Sequence, residues 1–462
     1  MISIKIKNNY RFIVCTIIFS LALFAQYKSP DSPLYITQSL ATAILVWIIL
    51  KSCRSPFIVT SSLMFIAGNW LKITFHKIYD YKYTEPTGFF SGTASEWETF
   101  YSNSTIITAI LIAASMLSGI KHGETQNNVV RKEYSKFVYH AAIFSTIFLY
   151  AINYIFGIYR IGLGSKIELP LGLTAPLSFL IFIGTPLIIA LSADCHVKKS
   201  KNIRLSFILF LCLSFLIASI STLSRAVFII QMLPIVIGMA VKSNRIGNIG
   251  QGVYRLALPF IAAMIAALML VSAQRIVQFT DAGIINDASV ERYFNETIGL
   301  VVNRWVGAES MMVASSTDGN MNLFLEILNE DPKSGVFSAY HDLSNSNYSY
   351  IDGKTFLNLP GYFALISFSG SPIIILIGST ICCLVGISFE NWVSKKFNNS
   401  ETIKYTSSTL LSYHFSQMAF PLLFIPFIIQ LLGFLYFLEL TMAMGARTSE
   451  RFKFINPYAQ KI

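Results

Sequence analysis

Two apolar runs, LALPFIAAMIAALMLVSA at 256–273 and SPIIILIGSTICCLVGIS at 371–388, bracket a hydrophilic stretch at 273–359. A bilayer span needs roughly 20 mainly apolar residues, so both runs read as membrane helices. No other hydrophilic segment of the chain is as extended. Long segments of this kind tend to carry function. This one also has helical patterning, because Val301, Val302, Trp305, Ala308 and Met312 form an apolar stripe. On a continuous helix there, Arg304 and Glu309 would sit about 140° apart and could not pair along one face. Each therefore needs a partner from elsewhere, and a substrate is one candidate.

Outward from this pair, apolar runs recur along the whole chain. Twelve are span candidates: 12–27, 34–50, 57–75, 104–120, 137–156, 174–193, 205–221, 226–241, 256–273, 371–388, 405–420 and 423–443. The run at 405–420 is short and polar, with Ser407, Ser408, Ser412, His414, Ser416 and Gln417. Composition agrees: 54% of the 462 residues are hydrophobic and 13% charged, against about 25% charged in soluble domains. The expected fold is an all-α polytopic membrane protein of about twelve transmembrane helices. Residues 1–272 would hold spans one to nine, 273–359 one large outer loop with short helices, and 360–462 the last three spans and a tail.

The formal net charge is +11, but the basic residues lie mostly in short loops between apolar runs. That is the positive-inside pattern and not a nucleic-acid footprint. With both termini in the cytoplasm, 23 of the 35 Lys and Arg fall in cytoplasmic segments, and 273–359 lies outside. The basic start and the apolar run from Phe12 to Phe24 are read as an uncleaved first helix, since Ser20-Leu21-Ala22 is a poor cleavage site. The six cysteines form no CxxC motif or Cys/His cluster, which gives neither a disulfide framework nor a zinc site.

The outer loop holds five basic and eleven acidic residues, so its cations are individually placed. Arg292 has Glu296 four residues on and reads as a helix pair. Arg225, in Ser224-Arg225-Ala226, lies between apolar runs, where a charge is costly and points to function. Arg275 is similarly placed after the ninth span. His341 lies beside Tyr340 and Asp342, and a histidine next to a carboxylate can act as a base near neutral pH. Of two smaller outer loops, 76–103 carries several aromatics and 157–173 carries Arg160, Lys166 and Glu168. The aromatics are expected at the membrane interface. Within the spans charge is scarce, with Glu439 and Lys72 the exceptions. That scarcity argues against an ion-coupled carrier.

The twelve-span layout, the large outer loop before the last three spans, Ser224-Arg225-Ala226, the Arg304–Glu309 run, and Leu359-Pro360-Gly361 leading to Ser369-Gly370-Ser371 together resemble the O-antigen polymerase (Wzy-type) family. The Arg-x10-Gly pattern of some members is missing here, since no outer arginine has glycine eleven residues on. The resemblance implies a fold like that of membrane GT-C-type glycosyltransferases in the bacterial inner membrane, with the large loop periplasmic. It implies transfer of a glycan from undecaprenyl diphosphate to a sugar hydroxyl of another lipid-linked repeat unit. The partners would be the undecaprenyl-diphosphate-linked oligosaccharide, the bilayer and a chain-length regulator. The O-antigen ligase family shares the layout, and a lipid-linked-oligosaccharide flippase is the alternative from another class.

The side chains suit such a transfer. Arginine forks bind phosphate oxygens at two points, so Arg304, Arg225, Arg275 and Arg160, with Lys354, would bind the diphosphate without a metal or other cofactor. Glu309, His341 or Asp342 would take the proton of the acceptor hydroxyl.

Overall fold

The computed structural model describes residues 2–80, 83, 85–119, 136–160, 166–167, 169–199, 205–224, 226–245, 259–274, 305–331, 339–345, 359–397, 399–418 and 420–455. The described elements are helices. Seven are long and apolar enough to cross a membrane: α1 (Tyr10–Lys28), α2 (Leu34–Lys51), α3 (Pro56–Tyr79), α4 (Ala94–Ser118), α6 (Thr174–His196), α14 (Pro372–Lys396) and α16 (Pro421–Thr441). Four shorter apolar helices are α5 (His140–Phe156), α7 (Ser206–Thr222), α8 (Phe228–Lys242) and α9 (Pro259–Gln274). The hydrophilic stretch carries α10 (Ala308–Ser316), α11 (Met321–Leu328) and α12 (Ala339–Leu343). It is followed by α13 (Tyr362–Ser367). The polar run near 405–420 becomes α15 (Glu401–Ser416).

The lipid-like sequence of these helices is reflected in what they expose. Phe12, Ile17, Phe144, Ile155, Ile373 and Ile429 are each more than half exposed, as expected of side chains whose solvent is hydrocarbon. Helix α15 behaves in the opposite way. Thr402, Thr406, Ser407, Ser408, Thr409 and Ser412 are buried, so its hydroxyls face protein. Thr406 and Ser407 return theirs to the carbonyls of Thr402 and Ile403.

The chain forms two compact units, neither continuous in sequence. The first comprises Met1–Glu124, Ser289–Glu390 and Leu411–Ile425. Within it α2 packs along α4 and α1, and α10 packs on α4, α13 and α3. Helix α3 is started by three devices. Ser55 accepts from the Ile58 N–H at 3.2 Å, Pro56 occupies the first turn, and Glu390 accepts from the Phe57 N–H. An anion there matches the positive end of the helix dipole. Helix α4 starts with a capping box, Thr93 with Glu96.

That start corrects the expected outer loop at 76–103. Helix α3 runs to Tyr79 and α4 begins at Ala94. Phe100 and Tyr101 are fully buried, and Trp97 stacks on Tyr101 at 5.3 Å. These rings are core residues because the helix turns them onto α2, where Tyr35 meets Tyr101 at 5.6 Å.

The second unit comprises Thr125–Ala288, Asn391–Leu410 and Pro426–Ile462. Its helices α6 and α8 each contain a π-helical segment, Leu180–Gly184 and Phe228–Met232. A π segment displaces backbone carbonyls from their usual partners, and Gln231 donates to the Phe182 carbonyl at 2.9 Å. Asn153 ties α5 to α7 and to the following loop, donating to Ser221 and to the Tyr159 carbonyl and accepting from the Tyr159 N–H.

Candidate functional site

Helix α3 also has a π-helical segment, Ile66–Leu71, and it precedes Lys72 directly. The segment Trp305–Gly307 lies against it so closely that a Cβ on Gly68 would meet the Val306 carbonyl oxygen at 2.1 Å. Gly307 has φ +153°, a conformation that L side chains rarely adopt, and it starts α10 at Ala308. This corrects the expected continuous helix through Arg304 and Glu309. Glycine breaks it, and the 140° relation between the two side chains does not apply.

The new helix start places Glu309 in its first turn, beneath the surface. Lys72 Nζ lies 2.6 Å from both carboxylate oxygens and donates to the Trp305 carbonyl at 3.0 Å. Lys72 has no exposure and Glu309 is 3% exposed. The partner that Glu309 needed is therefore Lys72, from its own chain. Burial pushes the Glu309 carboxyl above its usual range, while the Lys72 ammonium and a backbone N–H from Glu85 pull against that shift.

Around the pair, the loop helices are fastened to each other. Tyr340 of α12 donates to Ser310 at 3.0 Å, and Ser310 donates to the Leu359 carbonyl at 3.2 Å. The Gly88 N–H donates to the Ser344 carbonyl at 3.1 Å. Tyr83 stacks on His76 of α3 at 3.8 Å. The hydrophilic stretch thus contributes packed structure, with Met311, Met312 and Val313 buried.

His341 is half-buried on α12 and Asp342 is exposed beside it. They share a short helix with Tyr340, which reaches the residue next to Glu309. Arg160 belongs to the other unit, and burial lowers the pKa of its guanidinium. Arg225, Arg275, Arg304 and Lys354 lie outside the described residues, as do Arg292 and Glu296.

A second ionic cluster in the first unit was not anticipated from sequence. Lys77, in the last turn of α3, contacts Asp31 at 2.5 Å and Gln26 at 2.9 Å. Tyr101 donates to the other Asp31 oxygen at 2.5 Å, and Lys77 lies over the Tyr35 ring at 4.2 Å. The signal was a lysine ending one apolar helix and an aspartate just after another. In the second unit Lys242 pairs with Asp194 at 2.5 Å, and Thr402 donates to the same carboxylate at 3.3 Å. The helices run past the expected spans, to Tyr79, His196 and Lys396, and the added turns carry charge. Lys72, Lys77, Asp194 and Glu390 are all buried in apolar helices. They are tolerated because each is paired or hydrogen-bonded. Glu439 pairs with Lys396 at 3.0 Å and is partly exposed.

Beside the π segment of α3 lies a small pocket. Asn69 and Ser61 of α3, Ser412 of α15, and the rings of Phe65, Phe363 and Phe415 form much of its wall. Its remaining lining is uncharged as well. Among the described residues no group of three or more His, Cys, Asp or Glu could hold a metal ion. All six cysteines are free.

No family model, curated protein or solved structure matches this chain.

Proposed function

We propose that the chain is a polysaccharide polymerase. It would transfer a growing glycan from undecaprenyl diphosphate to a sugar hydroxyl of a second lipid-linked repeat unit, at the periplasmic face of the bacterial inner membrane. The glycosidic bond to the diphosphate breaks, the acceptor oxygen forms the new bond, and its proton passes to a base. The observation that carries this reading is the fastening of α10 and α12 to one end of a membrane helix by the buried Lys72–Glu309 pair. Such a fixture supports a preorganised site beside the bilayer, where a lipid-held donor would be presented.

Within this reading Glu309 is a positioning residue, since it is buried and ion-paired with Lys72, which donates to its Oε2. His341 is the better base, because it is less buried and carried on the same fastened platform. Arg304 and Lys354, from the same hydrophilic stretch as Glu309 and His341, are the cations proposed for the leaving diphosphate. The test is removal of the chain from its host, with surface glycan resolved by gel. Single repeats on the core support a polymerase. Bare core with polymer held on carrier lipid indicates a ligase instead. A second reading, a lipid-linked-oligosaccharide flippase, draws support from the buried lysines of α3 and from the Lys242–Asp194 pair of α8 and α6. It predicts neither polymer nor repeats outside the membrane.

A further inference from the structure

The carboxamide of Asn69 stands in the wall of the small pocket, at the π segment of α3. Asn69 is 2% exposed, and its Oδ1 has no hydrogen-bond donor. Leaving a buried acceptor unmet is unfavourable, and an apolar residue would fill the same place without that cost. The neighbouring hydroxyls do not supply the missing donor. Ser61 and Ser412 bond each other at 2.8 Å, and Ser416 donates to the Tyr413 carbonyl at 2.9 Å.

The rest of the wall defines what could enter. Phe65, Phe363 and Phe415 present ring surface, and no lining residue carries a charge. A phosphate or carboxylate would find no counter-ion there. The space inside, about 30 Å³, suits a short arm. Its floor includes Gly307 and Met311, so the wall is shared by the membrane helix and by the platform that holds Glu309.

We infer that this pocket is a specificity subsite for an uncharged, donor-bearing arm of a sugar, a hydroxymethyl or an acetamido group, with Asn69 Oδ1 accepting its O–H or N–H. The inference rests on the polymerase reading for the identity of the ligand as a glycan. The arm's carbon atoms lie against the phenylalanine rings, and its donor satisfies the open side-chain acceptor of Asn69. Substrates lacking the arm would leave Asn69 buried and unpaired, which is how a polar site rejects an analogue.

Full-length protein in detergent would be tested by saturation-transfer NMR against three methyl glycosides. The glucoside carries the hydroxymethyl arm, the N-acetylglucosaminide carries both arms, and the xyloside carries neither. The expected result is binding of at least one armed glycoside about tenfold tighter than the xyloside, the scale of one hydrogen bond. The two armed sugars distinguish the hydroxymethyl from the acetamido source. In Asn69→Leu the preference disappears while the protein melts at or above the wild-type temperature. If that variant does not fold, Ser416→Cys in a cysteine-free background gives a second readout: armed glycosides slow its reaction with a thiol reagent and the xyloside does not. Equal binding of all three, no binding, or an unchanged preference in Asn69→Leu overturns the subsite. Glycoside preference in a host whose deletion shows no polymer defect would leave the subsite standing and remove the polymerase.

Discussion

Gly68 and Val306 come together with no room for a Cβ, since one built on Gly68 would stand 2.1 Å from the Val306 carbonyl oxygen. The obstacle is backbone, so no side-chain rotation relieves it. Gly68→Ala should destabilise the protein by about 1–3 kcal/mol, as overpacking does, and should loosen Trp305–Gly307 from α3. The control is Gly433→Ala, where nothing lies within 4 Å of the added carbon. There alanine should be neutral or stabilising, because glycine within a helix costs up to about 1 kcal/mol. Melting temperatures of the two purified variants check the contrast.

The Lys72–Glu309 pair predicts a pattern in a double-mutant cycle. Lys72→Met or Glu309→Leu alone strands a buried charged partner and should cost about 3–5 kcal/mol. Lys72→Met combined with Glu309→Leu removes both and should recover much of the loss. Denaturant or thermal unfolding of the three variants measures the coupling. Additive losses would mean that the two side chains do not depend on one another.

Glu309 also gives a pH dependence. Its folded pKa is raised above the ordinary 4.5 by burial. A raised value means that the fold binds the proton more tightly than the unfolded chain does. The resulting stabilisation is complete below the ordinary value and is lost as pH rises through the folded one. Relative to Glu309→Gln, the wild type should therefore lose stability as pH climbs from about 4.5 towards neutrality. Melting curves of both proteins across that window give the slope. A difference that grows with pH would put the folded pKa below the unfolded one.

Topology can be read by labelling. In a cysteine-free background Asp318→Cys, at an exposed position between α10 and α11, should react with a membrane-impermeant thiol reagent in intact spheroplasts. Reaction only after lysis would place the platform in the cytoplasm and remove the polymerase reading.

The apolar helices were legible because hydrophobic length is a local property. The run 371–388 became the greater part of α14, which continues through the polar residues after it to Lys396. The ionic clusters were not legible for the opposite reason. Lys72 and Glu309 are 237 residues apart, and periodicity carries no information about which distant element a helix end will meet. The start of α10 could have been seen in Gly307, which follows Trp305-Val306 and interrupts the stripe. Reading the stripe alone extended the helix through it. Asp31 stands between two apolar helix ends, where a covered aspartate needs a cation. The likeness to O-antigen polymerases rests on layout and short motifs, and several of its cations fall outside the described residues.

Helix α15 has a consequence for how the chain is made. Its buried side chains include threonines and serines from Thr402 to Ser412, and it is not among the helices long and apolar enough to cross a membrane. Offered to lipid by itself, such a segment has little reason to leave the translocation channel. It needs earlier helices already waiting to receive its hydroxyls, as α3 does through Ser61 and Ser412. Synthesis order therefore matters, because α15 emerges after the helices of residues 1–396 and can be recruited by them. A permuted chain beginning at residue 397 would present this helix before its receivers exist, and should be degraded during insertion even though its sequence is otherwise unchanged.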